Sequence, residues 1–101
     1  MRIMVMFDLP VVTAADRREY TRFRKFLIKS GFMMMQESVY CKLAPNSNAG
    51  DSLINQVRKN KPPEGLVQVL KVTEKQYSNM EFIVGHSTSD VLDTDERVVI
   101  L

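Results

Sequence analysis

Asp8 is the residue of this 101-residue chain whose type and placement offer most to chemistry. It is the one interruption in the run Arg2-Ile3-Met4-Val5-Met6-Phe7-Asp8-Leu9-Pro10, where six of the seven residues from Ile3 to Leu9 are apolar, and it stands where the strand would stop, two residues before the proline. Such a run suits the centre of a sheet covered on at least one face. A carboxylate where the strand leaves the core is costly unless it is solvated, capped or bound to a cation. Two readings follow. Asp8 either caps the turn before the next element, or it is a strand-end carboxylate for metal or phosphate chemistry. No second acidic residue lies nearby in sequence, so one chain offers a divalent cation a single carboxylate. Mg2+ commonly takes one or two carboxylates and completes its shell with water and phosphate oxygens. A symmetric dimer that brought two copies of Asp8 together would make the better site.

The second candidate is a cluster of cations. Between Thr13 and Ser30 stand six basic residues (Arg17, Arg18, Arg22, Arg24, Lys25, Lys29) against Asp16 and Glu19, net +4. Between Glu81 and Arg97 the balance reverses, with Glu81, Asp90, Asp93, Asp95 and Glu96 against Arg97, net −4. The overall charge of +2 hides this division. One surface suits an anion and another repels it. Lys and Arg contacts to a phosphate backbone give affinity without reading sequence. The plain alternative is an ordinary solvated helix face.

Other chemistries find no support. His86 is the one histidine, in a Gly-His-Ser loop, and no serine sits in a nucleophile-elbow context. The four glycines form neither a phosphate-binding loop nor a dinucleotide fingerprint. The Lys/Arg-Gly-Phe pattern of an RNA-recognition sheet is missing. Cys41 is alone, which permits no internal disulfide and no multi-thiolate zinc site. It reads as a small buried hydrophobe in a strand and fits a reducing cytoplasm. The N-terminus does not read as a signal peptide, because Asp8 interrupts its apolar run and no small-residue cleavage site follows. No segment approaches the ~20 apolar residues that span a bilayer.

The elements that must position these residues follow from pattern. Thr13, with Asp16 three residues on, opens a helix that runs to Ser30 and stops at Gly31. At ~100° per residue Tyr20, Phe23, Phe26 and Leu27 share one face, so the cations must project outward. Phe32 to Leu43 is strand-like, either one bent strand or two with a tight break at Gln36-Glu37-Ser38. Ser47 or Asn48 can cap a second helix from Ala49 to Asn60 that turns Leu53, Ile54 and Val57 to the sheet. Lys61-Pro62-Pro63-Glu64-Gly65 ends it. Leu66 to Val72 alternates as a strand, with Val67, Val69 and Lys71 on one side. A single helical turn capped by Thr73 follows, then a short strand from Met80 to Val84. After a polar stretch, Arg97-Val98-Val99-Ile100-Leu101 reads as a terminal strand. The order predicts an α+β sandwich of one domain, two helices on one face of an antiparallel sheet. The last apolar residues must pair with a sheet edge, and pairing with another chain is the preferred reading.

Several segments, in this order, resemble the CRISPR-associated protein 2 family, the smaller spacer-acquisition protein. They are Phe7-Asp8-Leu9-Pro10, Arg17-Arg18, Phe23-Arg24-Lys25-Phe26-Leu27, Gly31-Phe32 and Gln36-Glu37-Ser38-Val39-Tyr40. Val72-Thr73-Glu74-Lys75-Gln76 and Asp95-Glu96-Arg97-Val98-Val99-Ile100-Leu101 complete them and resemble the type II-A variant. The resemblance implies a ferredoxin-like βαββαβ domain over residues 1–101, with 85–101 as a C-terminal extension and docking strand. It implies a homodimer with facing sheets and a strand-end aspartate at the interface, here Asp8, described as a Mg2+ ligand. The tyrosine usual before that aspartate is Phe7 in this chain, so no phenol hydroxyl acts from that position. The implied role is spacer acquisition: the dimer bridges two dimers of the CRISPR integrase and supports double-stranded prespacer DNA. The basic residues Arg17, Arg18, Arg22, Arg24 and Lys25 would contact the DNA, and Val98, Val99, Ile100 and Leu101 would dock the integrase. Some members are described as metal-dependent endonucleases on RNA or duplex DNA, which makes an Asp8-centred phosphodiesterase the alternative. A ferredoxin-like toxin or RNA-binding module outside CRISPR is a third reading.

Overall fold

The strand β1 (Arg2–Asp8) organises the fold, because it pairs on both sides. Its residues alternate strictly: Ile3, Val5 and Phe7 are buried, while Arg2, Met4 and Met6 are half-buried and Asp8 is exposed. Period-two alternation of this kind sends odd residues to one face and even residues to the other. The computed structural model describes residues 1–85.

After β1 come α1 (Ala14–Lys29), β2 (Met33–Gln36), β3 (Val39–Leu43), α2 (Ser47–Lys59), β4 (Leu66–Val72) and α3 (Glu74–Ser78). The sheet has the order β2-β3-β1-β4, with every neighbouring pair antiparallel. This is the α+β ferredoxin-like βαββαβ arrangement expected from sequence. Residues 32–43 resolve into two strands, and the register between them shifts at Met34 and Gln36. The break is Glu37 and Ser38, a two-residue turn, and Gln36 still pairs with Val39 as the last residue of β2.

α1 begins with the expected capping box: the Thr13 hydroxyl accepts from Asp16 N at 3.0 Å, and Asp16 Oδ2 accepts from Thr13 N at 3.1 Å. It ends in a Schellman motif, with Phe32 N donating to Leu27 O and Gly31 N to Ile28 O. Gly31 adopts φ +95° there, a conformation that costs a side chain but not glycine. The cation of Lys42 adds to this end, donating to Ser30 O at 2.6 Å. α2 starts earlier than expected. Its N-cap is Asn46, whose Oδ1 accepts from Ala49 N at 2.9 Å, rather than Ser47 or Asn48. The side chain must reach the amide three residues on, and Asn46 is the one placed to do so.

Both helices cover the same face of the sheet. Phe23 and Leu27 of α1 and Val57 of α2 join Ile3, Val5, Phe7 and Tyr40 in one core, with Tyr20, Phe26, Leu53 and Ile54 packed around it. Gly50 lets α2 approach closely, since a Cβ there would meet Ile3 Cδ1 at 2.9 Å. Lys71 pins the same helix from β4, reaching Ser47 Oγ at 2.8 Å and Asp51 Oδ1 at 2.6 Å. Cys41 is buried, as its type suggested.

Among the described residues the opposite face is largely uncovered. Leu66 and Leu70 are each about half exposed (54% and 50%), beside half-buried Met4 and Met6. α3 covers one corner. There Arg2 Nε donates to Glu74 at 2.9 Å and its guanidinium lies 4.2 Å from the Tyr77 ring centre. The expected strand from Met80 to Val84 does not form. Met80, Phe82, Ile83 and Val84 are exposed, and a strand without a neighbour to complete its hydrogen bonds has nothing to hold it. The expected terminal strand, His86 and the 85–101 extension fall outside the described residues, apart from Gly85.

Candidate nucleic-acid interface and carboxylate site

Because Phe7 is turned into the core, Asp8 belongs to the opposite, open face. Its carboxylate is exposed, with no hydrogen-bond or ion-pair partner among the described residues. The capping role is therefore taken by Thr13 and Asp16, and Asp8 takes no part in it. Two features hold the strand end in place. Phe7 N donates to Ser38 O at 3.0 Å, which ties β1 to the β2–β3 turn. Asp8 also pairs with Leu66, and Gly65 packs directly beneath its backbone. Among the described residues no group of three or more potential metal ligands comes together. Among the described residues, one chain thus brings a single carboxylate to this strand end, a hard oxygen donor.

The cations stand elsewhere. α1 turns its aromatic face to the sheet, so Arg17, Arg18, Arg22, Arg24 and Lys25 all project into solvent. At ~100° per residue they span about 160° of the helix circumference. The centre of this arc is a shallow basic surface lined by Ala14, Arg17, Arg18, Thr21, Arg22 and Lys25. Arg18 and Lys25 have no ion-pair partner among the described residues. The others are anchored. Arg17 donates to Val11 O and Val12 O in the loop that leaves Asp8, at 3.3 and 3.0 Å. Arg22 meets Glu19 at 2.8 Å and also donates to Asn60 O and Lys61 O at the end of α2. Arg24 Nε donates to the Tyr40 hydroxyl at 3.0 Å, and that bond holds the guanidinium still more firmly protonated than usual.

The tertiary structure therefore gathers the five cations on one surface and puts Asp8 on the other side of the sheet. Sequence pattern does not single out Gly65 or Tyr40. Gly65 is legible there only as the end of a Pro-Pro-Glu-Gly turn, and Tyr40 only as a strand residue. A third group, Arg2, Glu74 and Tyr77, is equally hidden in the sequence. Burial works against the charge of Arg2, but Glu74, with Cys41 and Tyr77 adding to it, more than offsets burial and the pKa rises. Burial likewise pushes the Tyr77 phenol above its ordinary value, with the neighbouring Cys41 thiol adding to the effect.

Known proteins similar to this chain identify its family. Three bacterial relatives, each named CRISPR-associated endoribonuclease Cas2, align with the whole of this chain. The protein of Treponema denticola is 58% identical over 101 residues, covering all of both chains. That of Lacticaseibacillus rhamnosus is 45% identical, again over the whole of both. That of Streptococcus mutans is 42% identical over all of this chain and 93% of its own. In fold, the crystal structure of Streptococcus pyogenes Cas2 at pH 6.5 superposes with a TM-score of 0.60 at 16% identity, over 84% of this chain and 100% of that one. A second cas2 crystal structure gives 0.57 at 21% identity, over 88% and 91%. The family model described as CRISPR associated protein Cas2 matches residues 1–80, from the start of β1 to just past α3. With the split βαββαβ sheet and this match in agreement, the chain belongs to the CRISPR-associated protein Cas2 family.

Proposed function

We propose that this chain acts in CRISPR adaptation as a homodimer that holds double-stranded prespacer DNA by its phosphate backbone and bridges two integrase dimers. The observation that carries the reading is the solvent-facing arc of Arg17, Arg18, Arg22, Arg24 and Lys25 on one side of α1. Phosphate contacts of this kind tolerate any sequence, which suits a protein that must accept any spacer. The open sheet face supports the dimer. Leu66 and Leu70 form an apolar surface that one protomer leaves in water, and a second sheet would cover it. Among the described residues β4 is also an edge strand with an unpaired side, suited to accept a strand from another chain. Val98, Val99, Ile100 and Leu101 supply a segment of the right character for docking the integrase. The lone Cys41 fits a cytoplasmic setting, and no helix among the described residues is long and apolar enough to cross a membrane.

The test is a duplex-binding titration across salt concentration. Replacing Arg17, Arg18 and Arg24 together by alanine should weaken binding and flatten its salt dependence, by roughly 0.9 in slope for each phosphate that the variant no longer neutralises. An unchanged slope sinks the proposal.

A second reading rests on the relatives' name, endoribonuclease, and on the unpartnered carboxylate of Asp8. In a dimer with facing sheets, Asp8 and Asp8 of the partner subunit would hold Mg2+, with water and phosphate oxygens completing its shell. The ion would supply polarisation of a scissile phosphate. This chain brings to the reaction a carboxylate and no phenol, because Phe7 replaces the tyrosine and faces the core. The scaffold reading is preferred.

A further inference from the structure

The two flanks of the basic arc are held differently. On the α2 side, Arg22 is tied to Glu19 and to backbone carbonyls. On the β3 side, exposed Arg24 is tied to one atom, the hydroxyl of Tyr40, at 3.0 Å. Tyr40 has no exposed surface at all (0%). Its ring stacks on Phe7 with centroids 5.8 Å apart and planes 23° apart, and Phe7 meets Phe23 edge-on at 5.3 Å. A ring enclosed in this way has one place to be, so its hydroxyl is a fixed point where the core reaches the surface.

A guanidinium carries five N–H donors in a planar fork. Tyr40 engages the Nε donor, and the four on the terminal nitrogens have no partner among the described residues. Those two nitrogens are the edge that meets a phosphate bidentately. A free arginine loses rotamer freedom when it binds, whereas Arg24 has surrendered part of that freedom on folding. Lys25, its neighbour in sequence, has no such support among the described residues.

We propose that Tyr40 is a positioning residue for nucleic-acid binding: its buried hydroxyl pre-orients the Arg24 guanidinium for a backbone phosphate of duplex DNA. The proposal rests on the reading of α1 as the DNA-facing surface. The competing role for Tyr40 is core filling alone, in which the hydroxyl simply finds a convenient donor. Core filling ties affinity to fold stability; positioning ties it to Arg24.

The experiment uses the full chain and a DNA duplex of arbitrary sequence, with fluorescence anisotropy measured over a range of salt. The variants are Tyr40→Phe, Arg24→Ala, their combination, and Arg18→Ala with Lys25→Ala. Tyr40→Phe keeps the ring and the charge, so binding should weaken about three- to tenfold, the worth of one immobilised long side chain, with the salt slope unchanged. Arg24→Ala should lower the slope by roughly 0.9. The combined variant should bind no more weakly than Arg24→Ala alone, because the hydroxyl then has nothing to position. If Tyr40→Phe binds as tightly as the wild type while Arg24→Ala lowers the slope, positioning is refuted and the DNA-facing surface stands. Additive losses in the combined variant refute it equally. If neither Arg24→Ala nor the Arg18 and Lys25 pair changes the slope, the DNA-facing surface fails and the proposal falls with it.

Discussion

Gly65 lies against the backbone of Asp8. A Cβ at Gly65 would come within 2.8 Å of the Asp8 carbonyl oxygen and within 2.8 Å of Leu9 Cδ2, and Gly65 itself sits at φ +98°. The turn that starts β4 is thus the floor beneath the backbone that carries the Asp8 side chain.

Gly65→Ala should therefore destabilise the fold by about 1–3 kcal/mol, since the backbone conformation and the close approach both oppose a side chain. The Leu9 side chain can shift, but the Asp8 carbonyl oxygen and Leu9 Cα are backbone and cannot swing aside. Urea unfolding should show a lower midpoint with an unchanged m-value. Wild-type stability would mean that the β4 entry turn relaxes freely.

Asp8→Asn separates the two functional readings. The amide keeps the shape but removes the charge that a hard cation needs, so any Mg2+-dependent cleavage should fall by about 100-fold or more. Duplex affinity should stay within about twofold, because the proposed phosphate-binding cations lie on the other side of the sheet. Cleavage and anisotropy measured on one preparation decide it. Cleavage that persists in the variant would remove Asp8 from the chemistry.

Leu70→Glu probes the open sheet face. Burying a charge, and its copy across a two-fold axis, costs several kcal/mol, which weakens a dimer by about 100-fold or more. Sedimentation velocity at micromolar concentration should show monomer, with circular dichroism unchanged. A dimer that survives would place the interface elsewhere.

The phenol of Tyr77 predicts an alkaline limit to stability. Burial raises its pKa in the folded chain, so the folded state holds this proton more tightly than the unfolded state does. The contribution is complete below the unfolded tyrosine value, about 10. It is lost as pH climbs from there through the raised folded value. Tyr77→Phe should flatten the fall in stability above that pH. Ultraviolet titration should show Tyr77 ionising above the ordinary tyrosine value, as a component that is missing from Tyr77→Phe.

Local pattern carries most of the fold. The α1 boundaries are legible because Thr13, Asp16 and Gly31 act on amides a few residues away, and so is the inward set Tyr20, Phe23, Phe26 and Leu27. The N-cap of α2 falls one residue before the expected Ser47, at Asn46, since three neighbouring residues share the capping chemistry. Met80 to Val84 is the larger departure. Its apolar composition suits a strand, but a strand exists only where another offers hydrogen bonds, and composition says nothing of that.

By itself, the sequence determined which residues carry charge, where the chain turns, and that the cations of α1 lie opposite its aromatics, because these depend on periodicity and short-range bonding. Only the tertiary structure decided that Asp8 and the basic arc lie on different sides of the sheet. It alone brought Tyr40 to Arg24, sixteen residues apart in sequence, and Gly65 to Asp8. Such meetings depend on strand register and helix packing. These are set by how the whole core closes, and no local stretch of chain contains them.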